Sequence, residues 1–532
     1  MPAVVTDQFR ILNASNFIDS ILDTNNSYYV FVGLPNPTAT GFGRTDTWNN
    51  GTSNSIPSPV DNLQYLSSYR DTSMFAKKVT SSNVRRVIKK HTWTNNTQYD
   101  MYRHDYIPGG TKPKNAQTLY NTNYYVINSD YRVYVCIDNG STGSPMEPKY
   151  SLNEPTFTEL EPSSAGPDDD YIWKYLFTVS PSDIIKFDST EYIVLPNDWS
   201  TSTDAQIQSV RESANSDVNK NQIKKVYIEN GGSKYTSGEP QIVDILGDGV
   251  GGKAQVEVEG GVITNVKVTS GGSGYTYGIV DLSNLNQAVT SNNGVHAKLV
   301  PIIPPSKGHG YDIYTELGAD KVLIYSRFDD STKNFPTDTN FSQVGIIKNP
   351  IKYGASGICT DTQFSSVGSI MLNSSTSGAL ASDNDLVGKI VTQTLKPDGI
   401  GTAKAYISSY DSETNVLKYI QDRSLYFNDQ NKEDQTDYRK VGNEAKVLSF
   451  DTTISNPELT IDTNVTVSIA NTFSGITTTI QSKQINLGVV FENGLANPVI
   501  NKKTGDIIYI DNRKMVQRDI RQKEDIKIIL EF

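Results

Sequence analysis

The chain has 532 residues and a formal net charge of -11, too long for one ordinary hydrophobic core and so divided among several domains. An apolar fraction of 36% is enough for packed domains, whereas the acidic balance repels a phosphate backbone and argues against nucleic-acid binding. The two cysteines, Cys136 and Cys359, give neither a disulfide framework nor a zinc pattern, and read as buried thiols in a reducing compartment.

The opening MPAVVTDQFRILNASNF has no charged segment ahead of an apolar one, so no secretory leader is expected. No apolar run approaches membrane-spanning length. Residues 7–22 predict an amphipathic helix with Phe9, Leu12, Phe17, Ile18, Ile21 and Leu22 on one face. YYVFVGL at 28–34 predicts a strand, and the Gly/Pro-rich stretch from Pro35 to Pro59 a loop. Between 74 and 91 lies a dense basic cluster of Lys77, Lys78, Arg85, Arg86, Lys89 and Lys90. It reads either as a contact with an acidic partner or as a solvated face, and the solvated face is expected.

Residues 124–138 predict a hairpin turning at Asn128-Ser-Asp130. At 167–187, Asp168, Asp169 and Asp170 precede a strand and then a short helix capped near Ser180 or Ser182. Three aspartates can bind a metal, but no second carboxylate cluster supports them, and a solvated turn is the expectation. NGGSKYTSG at 230–238 recurs as SGGSGYTYG at 270–278, with Ile223, Val226 and Ile228 matching Ile263, Val266 and Val268 upstream. KAQVEV at 253–258 resembles HAKLVP at 296–301. The pattern predicts a duplicated β module over 215–303, flanked by linkers at 204–221 and 301–305. Three strands follow in 388–422, with turns at Pro397-Asp-Gly399 and Ser412-Glu-Thr414, then a polar loop at 428–440 and alternation at Val465, Val467 and Ile469. At the C-terminus Ile526, Ile528, Leu530 and Phe532 share one face of a strand tied into a sheet. With 30 tyrosines and many short alternating runs, the class is mainly β with few short helices.

The catalytic patterns fail on context. GDGVGG at 247–252 spells a dinucleotide fingerprint, but strands follow it where a helix N-terminus is required. GGSGY at 271–275 lacks the final glycine and the strand-to-helix turn of a nucleophile elbow. His91, His104, His296 and His309 show no metal spacing, and the Lys-His pair near His309 reads as a structural turn before an anion site. Paired carboxylates for glycoside hydrolysis need a set distance in space, which spacing along the chain does not reveal. No enzyme, metal or cofactor is expected.

Several segments in order resemble the baseplate wedge protein family encoded by gene eight of T4-like contractile-tailed bacteriophages. They are YYVFVGLPNPTATGFGRTDTW (28–48), WTNNTQYDMY (93–102), DDDYIWKYLFTVSP with STEYIVLPNDW (189–199), LIYSRFDD (323–330) with FSQVGIIKNPIKYGAS (341–356), and GDIIYIDNRKMVQRDIRQKEDIKIILEF (505–532). The resemblance implies a multi-domain, β-sandwich-like core and a homodimer within each wedge. It also implies contacts with neighbouring wedge proteins, no cofactor, a place in the virion tail after assembly in the host cytoplasm, and neither nucleic acid nor membrane insertion. The segments 215–303 and 361–499 depart from the family's short form and look like β-rich insertions, similar to longer relatives in phages of marine cyanobacteria. The expected organisation is a wedge-core region 1–214, the duplicated module 215–303, a return to the core at 304–360, a second insertion 361–499, and closing strands 500–532. Arg513, Arg518 and Arg521, with Tyr171 and Trp173 of the aromatic signature, are the candidate partner-interface residues. For the arginines the competing reading is a strand edge guarded by charge. A second function, carbohydrate binding or depolymerisation at the host surface, is raised by the Gly/Tyr repeat.

Overall fold

The computed structural model describes residues 4–34, 37–38, 41–42, 56, 58–105, 119–143, 146–329, 340–378, 380, 386–395, 402–421, 448–462, 465–518 and 522–532. The fold is mainly β, with several antiparallel sheets and few helices. Two compact units divide the chain. One contains Met1–Ile18, Arg85–Leu323 and Ile529–Phe532; the other contains Asp19–Val84 and Ile324–Ile528. Compactness thus departs from chain order, because the first 214 residues contribute to both units. Most of the 35–59 loop, the Pro397-Asp-Gly399 turn and the 428–440 loop lie outside the described residues.

The first helix runs Asp7–Leu22. Its buried positions are Ile11, Ala14, Ile18 and Ile21, while Phe9, Leu12 and Leu22 are exposed. The hydrophobic stripe is therefore rotated from the predicted face and keeps alternating three- and four-residue steps.

In the first unit a four-stranded sheet is ordered Tyr125–Ile127, Arg132–Asn139, Tyr171–Thr178, Ser163–Ser164. Asn128 makes the predicted turn: its Oδ1 accepts the N–H groups of Asp130 at 3.0 Å and Arg132 at 2.8 Å, and Tyr131 takes φ 59°. The Tyr171–Thr178 strand is buried almost throughout, so both faces of the sheet are covered there. Ser180 then caps the Pro181–Phe187 helix by accepting the N–H of Asp183.

The duplicated module belongs to this unit. Its strands form a pair, Val226–Asn230 with Lys298–Pro301, and a sheet ordered Val262–Ser273, Val250–Glu259, Gln241–Gly247, Gly278–Val280. The two lie together along Val226–Asn230 with Val262–Ser273 and along Gly278–Val280 with Lys298–Pro301. The repeats exchange bonds residue for residue. Ile223 donates to Gly271 O and Ile263 to Gly231 O; Tyr235 donates to Gly261 O and Tyr275 to Asn221 O. Gly232 and Gly272 have φ of 69° and 60°, and a Cβ at either would collide with the carbonyl of Val295 or Val250 respectively. Tyr235 and Tyr275 are both buried. The first hydroxyl accepts the Ala297 N–H at 2.8 Å, the second the Gly252 N–H at 2.9 Å. Ala297 therefore corresponds to Gly252, which shifts the KAQVEV–HAKLVP match by two residues. Tyr275→Phe is expected to cost about 2 kcal/mol, since it orphans the buried Gly252 N–H, and Tyr235→Phe about 1 kcal/mol, since the Ala297 N–H it leaves is only partly buried. Urea unfolding of the two variants reads this, and a neutral result for either would break the equivalence.

The predicted linkers are not linkers. Residues 205–214 form the helix Ala205–Ala214, capped by Asp204, with Val210 and Ala214 buried. Ile302 and Ile303 are buried as well. The module is bolted to the central sheet by Lys225 Nζ, which lies 2.7 Å from Asp138 Oδ1, and by Arg103 over the Tyr227 ring at 3.8 Å.

In the second unit a five-stranded sheet is ordered Gln363–Ser365, Ser73–Lys78, Tyr28–Gly33, Asn340–Lys348, Asp506–Gln517. Tyr28–Gly33 is central and every residue in it is buried. A seven-stranded sheet follows, ordered Val465–Ser468, Glu458–Ile461, Ile390–Thr394, Thr402–Asp411, Val416–Ile420, Gly368–Met371, Leu495–Ala496. It packs on Leu372, Val391, Ile407, Leu417, Leu459 and Val467. A separate two-stranded hairpin pairs Gly475–Ile480 with Lys483–Phe491.

Candidate functional site

Of the predicted interface residues, Tyr171 and Trp173 are core. Both have no exposed surface. Their rings stack with centroids 5.5 Å apart at 15°, and Tyr99 meets Trp173 edge-on at 5.6 Å. Tyr171 Oη donates to Lys149 O at 2.6 Å and accepts the Tyr99 N–H at 2.9 Å. Burial pushes the Tyr171 hydroxyl well above the usual tyrosine range. In this fold neither ring lies on the surface, and the Tyr171 hydroxyl holds Lys149 against the sheet.

The three aspartates have different fates. Asp168 and Asp170 are exposed, and Asp170 pairs with Lys149 Nζ at 2.5 Å. Asp169 is buried, contrary to the solvated turn expected for it. Its Oδ2 accepts from Ser151 Oγ at 3.1 Å, Leu152 N at 2.9 Å and Asn153 N at 2.8 Å, and its Oδ1 from Tyr171 N at 2.9 Å. The carboxylate is filled by protein donors. Among the described residues no group of three or more His, Cys, Asp or Glu is placed to hold a metal ion.

The arginines separate in the same way. Arg513 is exposed, with a side-chain exposure of 60%, and its Nε lies 2.9 Å from Asp511 Oδ2. Arg518 has none of its side chain exposed and is 2.8 Å from Glu524 Oε2. Arg518 therefore fits an internal latch and not a docking surface. Arg521 lies outside the described residues.

The basic cluster is mostly half-buried. Arg85 pairs with Asp183 at 2.9 Å, Lys90 with Asp188 at 3.4 Å and Lys77 with Asp329 at 3.9 Å. Arg86 is buried over the Tyr314 ring at 4.1 Å. Lys89 alone of the six is exposed. The solvated-face expectation fails because the countercharges lie on distant segments.

A cavity of about 760 Å³ in the first unit is lined by Arg10, Lys89, Lys90, Tyr120, Tyr125 and Lys321 among others. Lys321 pairs with Asp320 at 2.8 Å and Glu531 at 3.1 Å. Tyr120 and Tyr125 donate to Thr315 O and Lys89 O. These bonds order the wall and occupy both hydroxyls.

The histidines serve local structure. His309 Nδ1 is 2.6 Å from Glu316 Oε1, whose other oxygen accepts the Gly310 N–H, so a carboxylate fills the position considered for an anion. His104 Nδ1 accepts the Ile303 N–H at 3.1 Å. His91 sits edge-on to Tyr125 at 5.1 Å, and burial, aided by Lys89, lowers it from the usual 6.5 to about 4. Below pH 6.5 the unfolded chain takes a proton that the folded His91 refuses until about pH 4, so stability falls as pH drops through that window. His91→Gln is expected to flatten this loss in pH-dependent melting; an unchanged acid limb would contradict it.

The hexapeptide at 247–252 makes a hairpin turn, as the strand context predicts. Asp248 accepts from Thr276 N and Oγ1, which brings its carboxyl down to about 2. The repeat tyrosines Tyr235 and Tyr275 present no ring to a glycan, and Tyr277 is the exposed ring beside them. The sequence missed Lys174, buried with its ammonium donating to Leu160 O; burial lowers its affinity for a proton. Its alternation along the strand differs in no way from that of an exposed lysine.

No helix among the described residues is long and apolar enough to cross a membrane. No family model matches the chain. Among curated proteins it is similar to the baseplate wedge protein gp8 of Enterobacteria phage T4, with 24% identity over 218 residues. That match covers 36% of this chain and 60% of the relative's length. The chain is thus distantly related to a phage baseplate protein.

Proposed function

We propose that this chain is a structural subunit of the baseplate wedge of a contractile phage tail, and not an enzyme. The similarity to the wedge protein of phage T4 carries the reading. The internal commitments of Asp169, His309, Tyr120 and Tyr125 agree with it, because each group stabilises the fold and is not held ready for chemistry. The subunit works through protein–protein contacts, with a second copy of itself and with neighbouring wedge proteins, during assembly and during the rearrangement that accompanies sheath contraction. It is made in the host cytoplasm and ends in the virion, without nucleic-acid binding or membrane insertion. A contact area of roughly 2,000 Å² or more is expected for such an obligate assembly.

Co-expression with the products of adjacent tail genes tests the proposal. A stoichiometric complex that survives purification, and the protein's presence in purified tails, is the expected result. Its absence from purified virions would reject the proposal.

A further inference from the structure

The 475–491 hairpin stands apart from the sheets around it. Gly475–Ile480 pairs only with Lys483–Phe491 among the described strands. Its base is anchored by Leu487, Val489 and Phe491, which pack with Met371, Val416 and Ala496. From 475 to 486 no residue is buried. A two-stranded ribbon is marginal in water unless something covers it. Native proteins usually guard free strand edges with lysine, proline or bulges. Between 475 and 491 the sequence has no proline and its one charged residue is Lys483, at the turn; the register shifts between Gly475 and Thr477, at the base, which leaves Thr477–Ile480 regular.

The turn determines which backbone groups are free. Gln481 and Ser482 have φ of 46° and 65°, the two-residue type I′ geometry, and Ile480 faces Lys483 across it. The pair flanking such a turn is hydrogen-bonded, and hydrogen-bonded positions alternate along the strand. Ile480 and Thr478 therefore bond inward, while the N–H and C=O groups of Thr477 and Thr479 point to the open edge.

The edge is also self-complementary. Ile476-Thr477-Thr478-Thr479-Ile480 reads the same in both directions. Antiparallel pairing of two copies about Thr478 places Thr477 of each opposite Thr479 of the other, a hydrogen-bonded pair at the positions whose groups are open. It also places Ile476 opposite Ile480 at both ends, which makes apolar cross-strand pairs. An isologous contact about a two-fold axis requires a surface that matches itself in this way.

We propose that the open edge of Gly475–Ile480 pairs antiparallel with the same edge of a second copy of this chain, centred on Thr478, to give a continuous four-stranded sheet. This rests on the dimer in the proposed function and names a surface for it. The surface lies within 361–499, a segment that departs from the family's short form.

Cross-linking of the full chain tests the register. At the centre of the pairing the two Thr478 positions face each other as a non-hydrogen-bonded pair, with Cα atoms roughly 4.5 Å apart, within disulfide reach. Thr478→Cys under mild copper-phenanthroline oxidation is expected to give a reducible covalent dimer. Gln484→Cys, on the opposite strand, is expected to remain monomeric on the same gel. Cys136 and Cys359 are buried and supply no background. Thr479→Pro, which removes an outward N–H, is expected to halve the mass measured by light scattering. Equal cross-linking at 478 and 484, or a dimer of Thr479→Pro unchanged from wild type, would overturn the strand pairing and leave the wedge reading standing. A Thr478→Cys link formed only to a different wedge protein would overturn the choice of a second copy.

Discussion

Asp169→Ala is expected to destabilise the first unit by roughly 3–5 kcal/mol, because one buried carboxylate answers four donors and its loss leaves them in a dry site. The donors are Ser151 Oγ and the backbone N–H groups of Leu152, Asn153 and Tyr171. For a unit of this size such a loss lowers the melting temperature by roughly 10 °C. Asp169→Asn keeps an acceptor at one oxygen but turns an N–H2 toward a donor at the other, so it is expected to fall between wild type and alanine. Hydrogen exchange should locate the damage. The 149–153 segment is held by Asp169 and by the Tyr171 hydroxyl, so its amides are expected to lose protection before those of the Arg132–Asn139 strand. Uniform loss, or a neutral Asp169→Ala, would show that the carboxylate is not the clasp.

The same residue shows where sequence reading stops. Alternation and turn chemistry made the 171–178 strand, the Asn128 turn and the Ser180 cap legible, because backbone hydrogen bonding is local and residues such as Asn and Ser advertise it. Burial is not local. Three consecutive aspartates read alike, yet one is enclosed by a segment that folds back from 151–153. Tyr171 and Trp173 sit on one face of a strand that is covered on both sides, so neither composition nor period separates a core aromatic from an interface aromatic. The basic cluster was visible as a run, but Asp183, Asp188 and Asp329 lie far along the chain and no pattern links them to it. The repeat was more legible than its partners. The Gly-Gly and Tyr-Thr signature exposed the duplication, whereas the flanking helix Ala205–Ala214 offers only two buried positions and reads as polar linker.

Arg518→Ala is expected to cost roughly 3–5 kcal/mol, since removing one member of a buried ion pair leaves the other desolvated and alone. Arg518 Nε bonds Glu524 Oε2 at 2.8 Å, its guanidinium also donates to Gln522 O at 3.3 Å, and the pair is 0% and 9% exposed. Among the described residues Glu524 Oε1 is already buried without a hydrogen-bond partner. The double variant Arg518→Met with Glu524→Leu removes both charges and is expected to recover most of the loss, as buried pairs barely outperform apolar replacements of similar volume. A non-additive double-mutant cycle in denaturant unfolding is the signature; additive losses would mean that each residue acts elsewhere. Arg513→Glu supplies the contrast. That side chain is 60% exposed beside Asp511, so the fold is expected to change by about 0.5 kcal/mol or less. Charge reversal at Arg513 therefore tests a partner contact cleanly, by wedge binding at unchanged melting temperature. At Arg518 it would measure unfolding and could say nothing about an interface.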